Sequence, residues 1–144
     1  MTLKNKDRID MIHVHISKAE IAYDDATFLL EMRKSCDGAA NRAYYAVFNA
    51  EKALLLTRGI YGEKHKHVHT QLSNQFVKKG EFPRDTGGQI DYVHGIRRIA
   101  DYSGERSATE EEVKEALIKA KNFIDQAKQI LQTFLAEQEK EATL

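Results

Sequence analysis

The sequence predicts an all-α fold, an antiparallel bundle of about five helices, and three observations carry that reading. One proline occurs in 144 residues. No run alternates β-branched with polar residues as a half-buried strand does. Apolar residues instead recur at three- and four-residue spacing along most of the chain, which stacks them on one side of a helix. The length suits a single domain, residues 1–144. A chain of this size buries roughly 68–70% of its unfolded surface, so no staple is required.

The first helix is expected from about Asp7 to Lys34, with Ile9, Ile12, Ile16, Ala19, Tyr23, Ala26 and Leu30 on one face. Ser35-Cys36-Asp37-Gly38 interrupts it, and Asp37 suits the N-cap of the next helix, where its carboxylate can accept from orphan amides. That second helix, Gly38 to Arg58, is apolar almost all round and should be the central one; Gly59 suits its C′ position. Val68, Leu72 and Phe76 mark a third helix over His65 to Lys79, stopped by Gly80. After a loop around Pro83, Ile90, Val93, Ile96 and Ile99 carry a fourth helix towards Tyr102. Thr109 and Glu112 form a T-x-x-E capping box that opens the last helix, striped by Val113, Ala116, Leu117, Ala120, Ile124, Ala127, Leu131 and Phe134.

Composition bounds the function. The single Cys36 excludes an internal disulfide and is read as an inert small residue in a reducing compartment rather than a catalytic thiol. The start of the chain has no apolar leader core, and no apolar run approaches ~18 residues, so a cytoplasmic protein away from membranes is expected. Net charge is zero, but residues 58–98 carry eight Lys/Arg against four Asp/Glu, plus four histidines. That is where a phosphate-bearing partner would be welcomed, although a merely solvated basic face has the same composition.

The most informative stretch is Asn41-Arg42-Ala43-Tyr44-Tyr45-Ala46-Val47-Phe48: an arginine and two adjacent tyrosines in a helix otherwise filled with alanine. Tyrosine rings fill volume and keep a hydroxyl that needs a partner, and Arg42 could simply make a buried ion pair. The stretch, followed by Ala53-Leu54-Leu55-Leu56 and Arg58-Gly59-Ile60, resembles the HEPN domain family, in particular its group with a Tyr-Tyr-Ala signature. The likeness continues through Lys64-His65, Phe76-Val77-Lys78-Lys79-Gly80, Arg98-Ile99-Ala100-Asp101-Tyr102 and Ala120-x-x-Phe123, over roughly residues 20–135. It implies a helical bundle that commonly dimerises. It also implies a small nucleotidyltransferase as partner, with the HEPN chain as the toxin of a toxin–antitoxin pair.

Nuclease members of that family are implied to be metal-independent ribonucleases with Arg-x4–6-His on a late helix. Arginine would stabilise charge on the phosphate while histidine exchanges protons as a ribose 2′-hydroxyl attacks. This chain departs from the pattern: after Arg97-Arg98 the late helix offers Tyr102 but no histidine. Tyrosine, with a pKa near 10, is a poor base at neutral pH. Arg8-x4-His13, Arg8-x6-His15 and Arg58-x6-His65 match the spacing on other helices, as chance alone allows.

In His65-Lys66-His67-Val68-His69, His65 and His69 share a helix face at a spacing that suits zinc. No cysteine and no nearby carboxylate completes such a site, so neither a metal nor another cofactor is expected. The candidate site is Arg42, Tyr45, His65, Arg97, Arg98, Asp101 and Tyr102, binding a nucleotide or RNA phosphate, in a homodimer expected from the resemblance and from the apolar surface that the second helix and the alanine-rich faces suggest is left over, with the dimer face left open. Two alternatives stand beside it. One is a ribonuclease using His65 with Arg98, which requires those residues to be close; the other is a helical dimer without a ligand.

Overall fold

The computed structural model describes residues 5–102, 104 and 106–142. Five α-helices and one π-turn account for most of them: α1 (Asn5–Arg33), α2 (Cys36–Leu56), α3 (His65–Leu72), the π-turn (Ser73–Val77), α4 (Thr86–Tyr102) and α5 (Glu110–Ala142). The bundle class read from the sequence holds. Among the described residues, no helix is long and apolar enough to cross a membrane.

Helix α2 is the hub, packing against α1, α3, α4 and α5. Its alanines explain why: Ala39, Ala40, Ala43, Ala46, Ala50 and Ala53 are all buried and let neighbouring backbones approach. Leu54, Leu55, Val47 and Phe123 fill the space between, and Val68, Leu72 and Phe76 close it from the α3 side. Helix α2 is buried on nearly every face, so the surplus apolar surface that its composition suggested is taken up within the chain. The exposed large apolar residues lie chiefly on α1: Val14, Ile21, Phe28 and Met32, on the side away from its buried stripe Ile12, Ala19, Ala22, Ala26 and Leu30.

Helix ends follow local chemistry. Gly59, at φ +71°, closes α2: its amide bonds the Leu56 carbonyl at 3.1 Å and the Ile60 amide bonds that of Leu55 at 3.0 Å, the paired bonds of a Schellman cap. The capping box at α5 forms as read, with Thr109 N–H donating to Glu112 Oε1 (3.0 Å) and Glu112 N–H to Thr109 Oγ1 (3.1 Å). Asp37 does not cap α2, which begins one residue earlier. Its carboxylate accepts from the Ala108 amide at 2.9 Å and ties the α4–α5 connection to the start of α2.

The third helix differs from its expectation. It leaves α geometry at Ser73, and one wider turn, closed by Lys78 N–H to Ser73 O at 2.9 Å, brings Phe76 into the core. The Gln75 carbonyl in this turn accepts from Arg58, whose guanidinium also covers the Phe76 ring at 4.0 Å. Helix α4 starts earlier than the apolar stripe indicated because Thr86 is itself buried against α5, its hydroxyl 3.4 Å from Gln126.

Candidate functional site

Three helices each bring polar side chains at three- and four-residue steps to one junction. Helix α2 supplies Asn41, Tyr44, Tyr45, Phe48 and Glu51; α3 supplies His65 and His69; α4 supplies His94, Arg97 and Asp101. Tyr44 is the centre. Its hydroxyl bonds His65 Nδ1 and lies 3.0 Å from His69 Nε2. Its ring stacks with those of Phe48 and His65 and meets His94 edge-on. The Arg97 guanidinium sits 4.4 Å over that ring, 5.7 Å from the ring of Tyr45 and 5.1 Å from that of Tyr102.

Asp101 fixes Arg97. It accepts from Arg97 Nε at 2.8 Å and, through the same oxygen, from Asn41 Nδ2 at 2.9 Å. The Asn-Arg-Ala-Tyr-Tyr stretch of α2 and the Ala-Asp-Tyr element of α4 are therefore parts of one network. Burial by itself would weaken the Arg97 charge, but the Asp101 bond together with Tyr102, Tyr44 and Tyr45 outweighs it, and the guanidinium stays protonated more firmly than usual. Its two terminal nitrogens have no acceptor among the described residues, so the fork keeps donors for a second one.

The hydrogen bonds also have a direction. Glu51 is fully buried, and its Oε2 accepts from His69 Nδ1 at 3.0 Å. In the His69 tautomer with its single ring hydrogen on Nδ1, Nε2 accepts and Tyr44 donates to it. The Tyr44 oxygen then accepts from His65 Nδ1, leaving Nε2 as the basic nitrogen of His65. Burial, and next the Arg97 charge, hold His65 below the ordinary imidazole range, so the ring is neutral at neutral pH. Burial likewise raises the Tyr44 phenol, which remains a hydroxyl.

Of the residues read from the sequence, Tyr45, His65, Arg97, Asp101 and Tyr102 converge here. Arg42 packs its guanidinium 4.9 Å over the Tyr45 ring and makes no ion pair among the described residues. Arg98 is exposed on the next position of α4 and lies outside these contacts. His65 accompanies Arg97 rather than Arg98. Tyr44, Asn41, Glu51, His69 and His94 belong to the junction but were not on the candidate list. The premise that no carboxylate lies near the histidine run does not hold, because Glu51 meets His69 from the neighbouring helix.

A family profile for the HEPN domain matches residues 12–130. The chain is 35% identical to "Putative toxin MJ0605" of Methanocaldococcus jannaschii, over 92% of this chain and 98% of that one. It is 32% identical to "UPF0332 protein" of Thermotoga maritima over 80% and 86% of the two chains. It is 30% identical to "Putative toxin MJ0142" of M. jannaschii, over 91% and 86%. The profile match spans most of the bundle, including every helix that contributes to the junction, and the chain belongs to the HEPN domain family.

Proposed function

We propose that this HEPN protein is a toxin-like module whose α2–α3–α4 junction binds the phosphate of RNA or a nucleotide, and which works beside a small nucleotidyltransferase partner. The observation that carries the binding reading is the Arg97 guanidinium, oriented by Asp101 through one nitrogen and framed by three tyrosine rings. A guanidinium held in this way recognises phosphate through its remaining nitrogens, while aromatic faces beside it suit a stacked base. The names of the relatives support the toxin reading. The partner rests on what the family resemblance implies.

Fluorescence anisotropy with a short single-stranded RNA tests the binding step. Arg97→Ala should weaken binding at least tenfold, about 1.4 kcal/mol, with a melting temperature close to that of the parent. Arg98→Ala, an exposed cation outside the network, should cost only about threefold through the general field. Undetectable binding by the parent protein, or an Arg97→Ala protein that binds like the parent, overturns the reading.

A ribonuclease remains the second reading, favoured by Tyr44 contacting both His65 and Arg97. His65 Nε2 would take the 2′-hydroxyl proton, the 2′-oxygen would attack phosphorus as the P–O5′ bond breaks, leaving a 2′,3′-cyclic phosphate and a 5′-oxygen that is protonated by water, and Arg97 would balance the charge on the phosphoryl oxygens. The same RNA, run on a denaturing gel after incubation with chelator, decides it. Cleavage lost in His65→Ala supports the nuclease, and intact RNA leaves binding alone.

A further inference from the structure

Beneath the Arg97 site lies a group of atoms that phosphate binding does not use. Glu51, His69 and His94, one from each of α2, α3 and α4, each bring one ligand atom to within 4.8 Å of the others. Glu51 Oε1 is 2.9 Å from His69 Nδ1 and 3.8 Å from His94 Nε2. The His69 N–H is spent on the other carboxylate oxygen, so Glu51 Oε1 and His94 Nε2 are both buried without a hydrogen-bond partner among the described residues. A fully buried carboxylate on a helix of alanine and leucine is costly, and an oxygen and a nitrogen facing each other unpaired add to that cost.

We infer that Glu51, His69 and His94 form a binding site for a divalent transition-metal ion of the zinc class. Two imidazole nitrogens and one carboxylate oxygen are ligands such an ion takes at about 2.0–2.2 Å, with an open fourth position. Magnesium and calcium prefer all-oxygen sets and do not fit. Around an ion at those bond lengths ligand atoms lie about 3.3 Å apart, so His69 Nδ1, at 2.9 Å from Glu51 Oε1, would draw back and His94 Nε2, at 3.8 Å from it, would draw in, each by about half an ångström. The side chains of His69 and His94 are 22% and 12% exposed, so the site has an entry side, while Glu51 anchors it from the core. The Arg97 charge one turn along α4 is balanced by Asp101 and is not directed at the ion.

The ion would replace the proton on His69 Nδ1. His69 Nε2 would then carry hydrogen and donate to Tyr44, which in turn would donate to His65 Nδ1. Tyr44 is thus the ligand's outer-shell partner and joins the metal to the Arg97 site. The metal claim itself stands on the Glu51–His69–His94 geometry and does not depend on the phosphate reading.

The test is titration of the full chain, stripped with chelator and dialysed, with Zn2+ by calorimetry and with Co2+ by visible absorption. One equivalent of ion should bind, with intense tetrahedral cobalt bands, and saturating zinc should raise the melting temperature by about 5 °C. Glu51→Gln and His94→Ala should each weaken binding at least tenfold, whereas His67→Ala should bind like the parent. Imidazole NMR should show the tautomers of His65 and His69 exchanged on metal addition. If Glu51→Gln proves too unstable, His94→Ala, at a partly exposed position, carries the test. No ion bound by the parent, or binding that survives His94→Ala and disappears in His67→Ala, overturns the site. Arg97→Ala should retain zinc while losing RNA, so the two readings fail separately.

Discussion

Replacing Tyr44 by Phe removes a single oxygen and keeps the ring, so it isolates the hydroxyl that joins the two histidines. That oxygen bonds His65 and His69. Each such bond is worth about 0.5–1.5 kcal/mol net, and water can reach the partly exposed imidazoles after the change. The expected loss is therefore about 1–2 kcal/mol, or a fall of roughly 2–8 °C in melting temperature for a chain of this size. Tyr44→Ala also removes a buried ring on which Phe48, His65 and Arg97 pack, and should cost about 3–5 kcal/mol. Urea denaturation followed by circular dichroism measures both. Tyr44→Phe as stable as the parent would mean that the hydroxyl bonds no histidine in solution. A variant as unstable as Tyr44→Ala would mean that the ring is not what the junction packs on.

Acid should act through the capping box of α5. The Arg106 guanidinium, and next the Thr109 amide, hold Glu112 down at about 2, below the usual carboxylate range. The unfolded chain therefore takes up the proton first, so the stabilisation is complete above the unfolded carboxylate pKa and disappears as pH falls through the window from there to about 2. Urea midpoints measured from neutral pH down to about pH 3 should fall more shallowly in Glu112→Gln than in the parent, and parallel curves would refute the assignment. For the oligomer, a homodimer is expected through α1. Val14, Ile21 and Phe28 are seven residues apart and exposed, the repeat of a coiled-coil seam that a second copy can match. Light scattering at micromolar concentration should give twice the 16.4 kDa chain mass, and Phe28→Asp should return the monomer. A parent protein that is monomeric throughout counts against the pairing.

The bundle was legible because its helices announce themselves twice, in apolar spacing and in their ends. Gly59, Gly80 and the Thr109–Glu112 box close or open helices where the sequence placed them, since each relies only on bonds among residues a few positions apart. Where a helix boundary depends on tertiary contact, local reading failed. The start of α4 is set by Thr86 packing on α5, and Asp37, a good cap on local chemistry, is drawn to the Ala108 amide across the fold. The outer stripe of α1 was missed for a related reason. That helix is apolar on two sides, and spacing alone cannot say which one faces the bundle.

The site was half legible, and the missing half had a signal of its own. A search for histidine after arginine on the late helix passes over His94, which precedes Arg97 by three residues. His94, Arg97 and Asp101 nevertheless share a helical face, and so do Asn41, Tyr44, Phe48 and Glu51 on α2. A lone glutamate in a run of alanines and leucines is the strongest of these clues. Position 51 is as buried as nearby Ala50 and Ala53, and a carboxylate persists there only with partners from other helices. Those partners are His69 and His94, far away in sequence, and no spacing rule within one helix can link them. The same reasoning explains why Asn41 and Asp101 matter together. Each alone is an ordinary polar residue on a partly exposed face, but bonded to each other they join α2 to α4 beside the point where Arg97 stands over Tyr44.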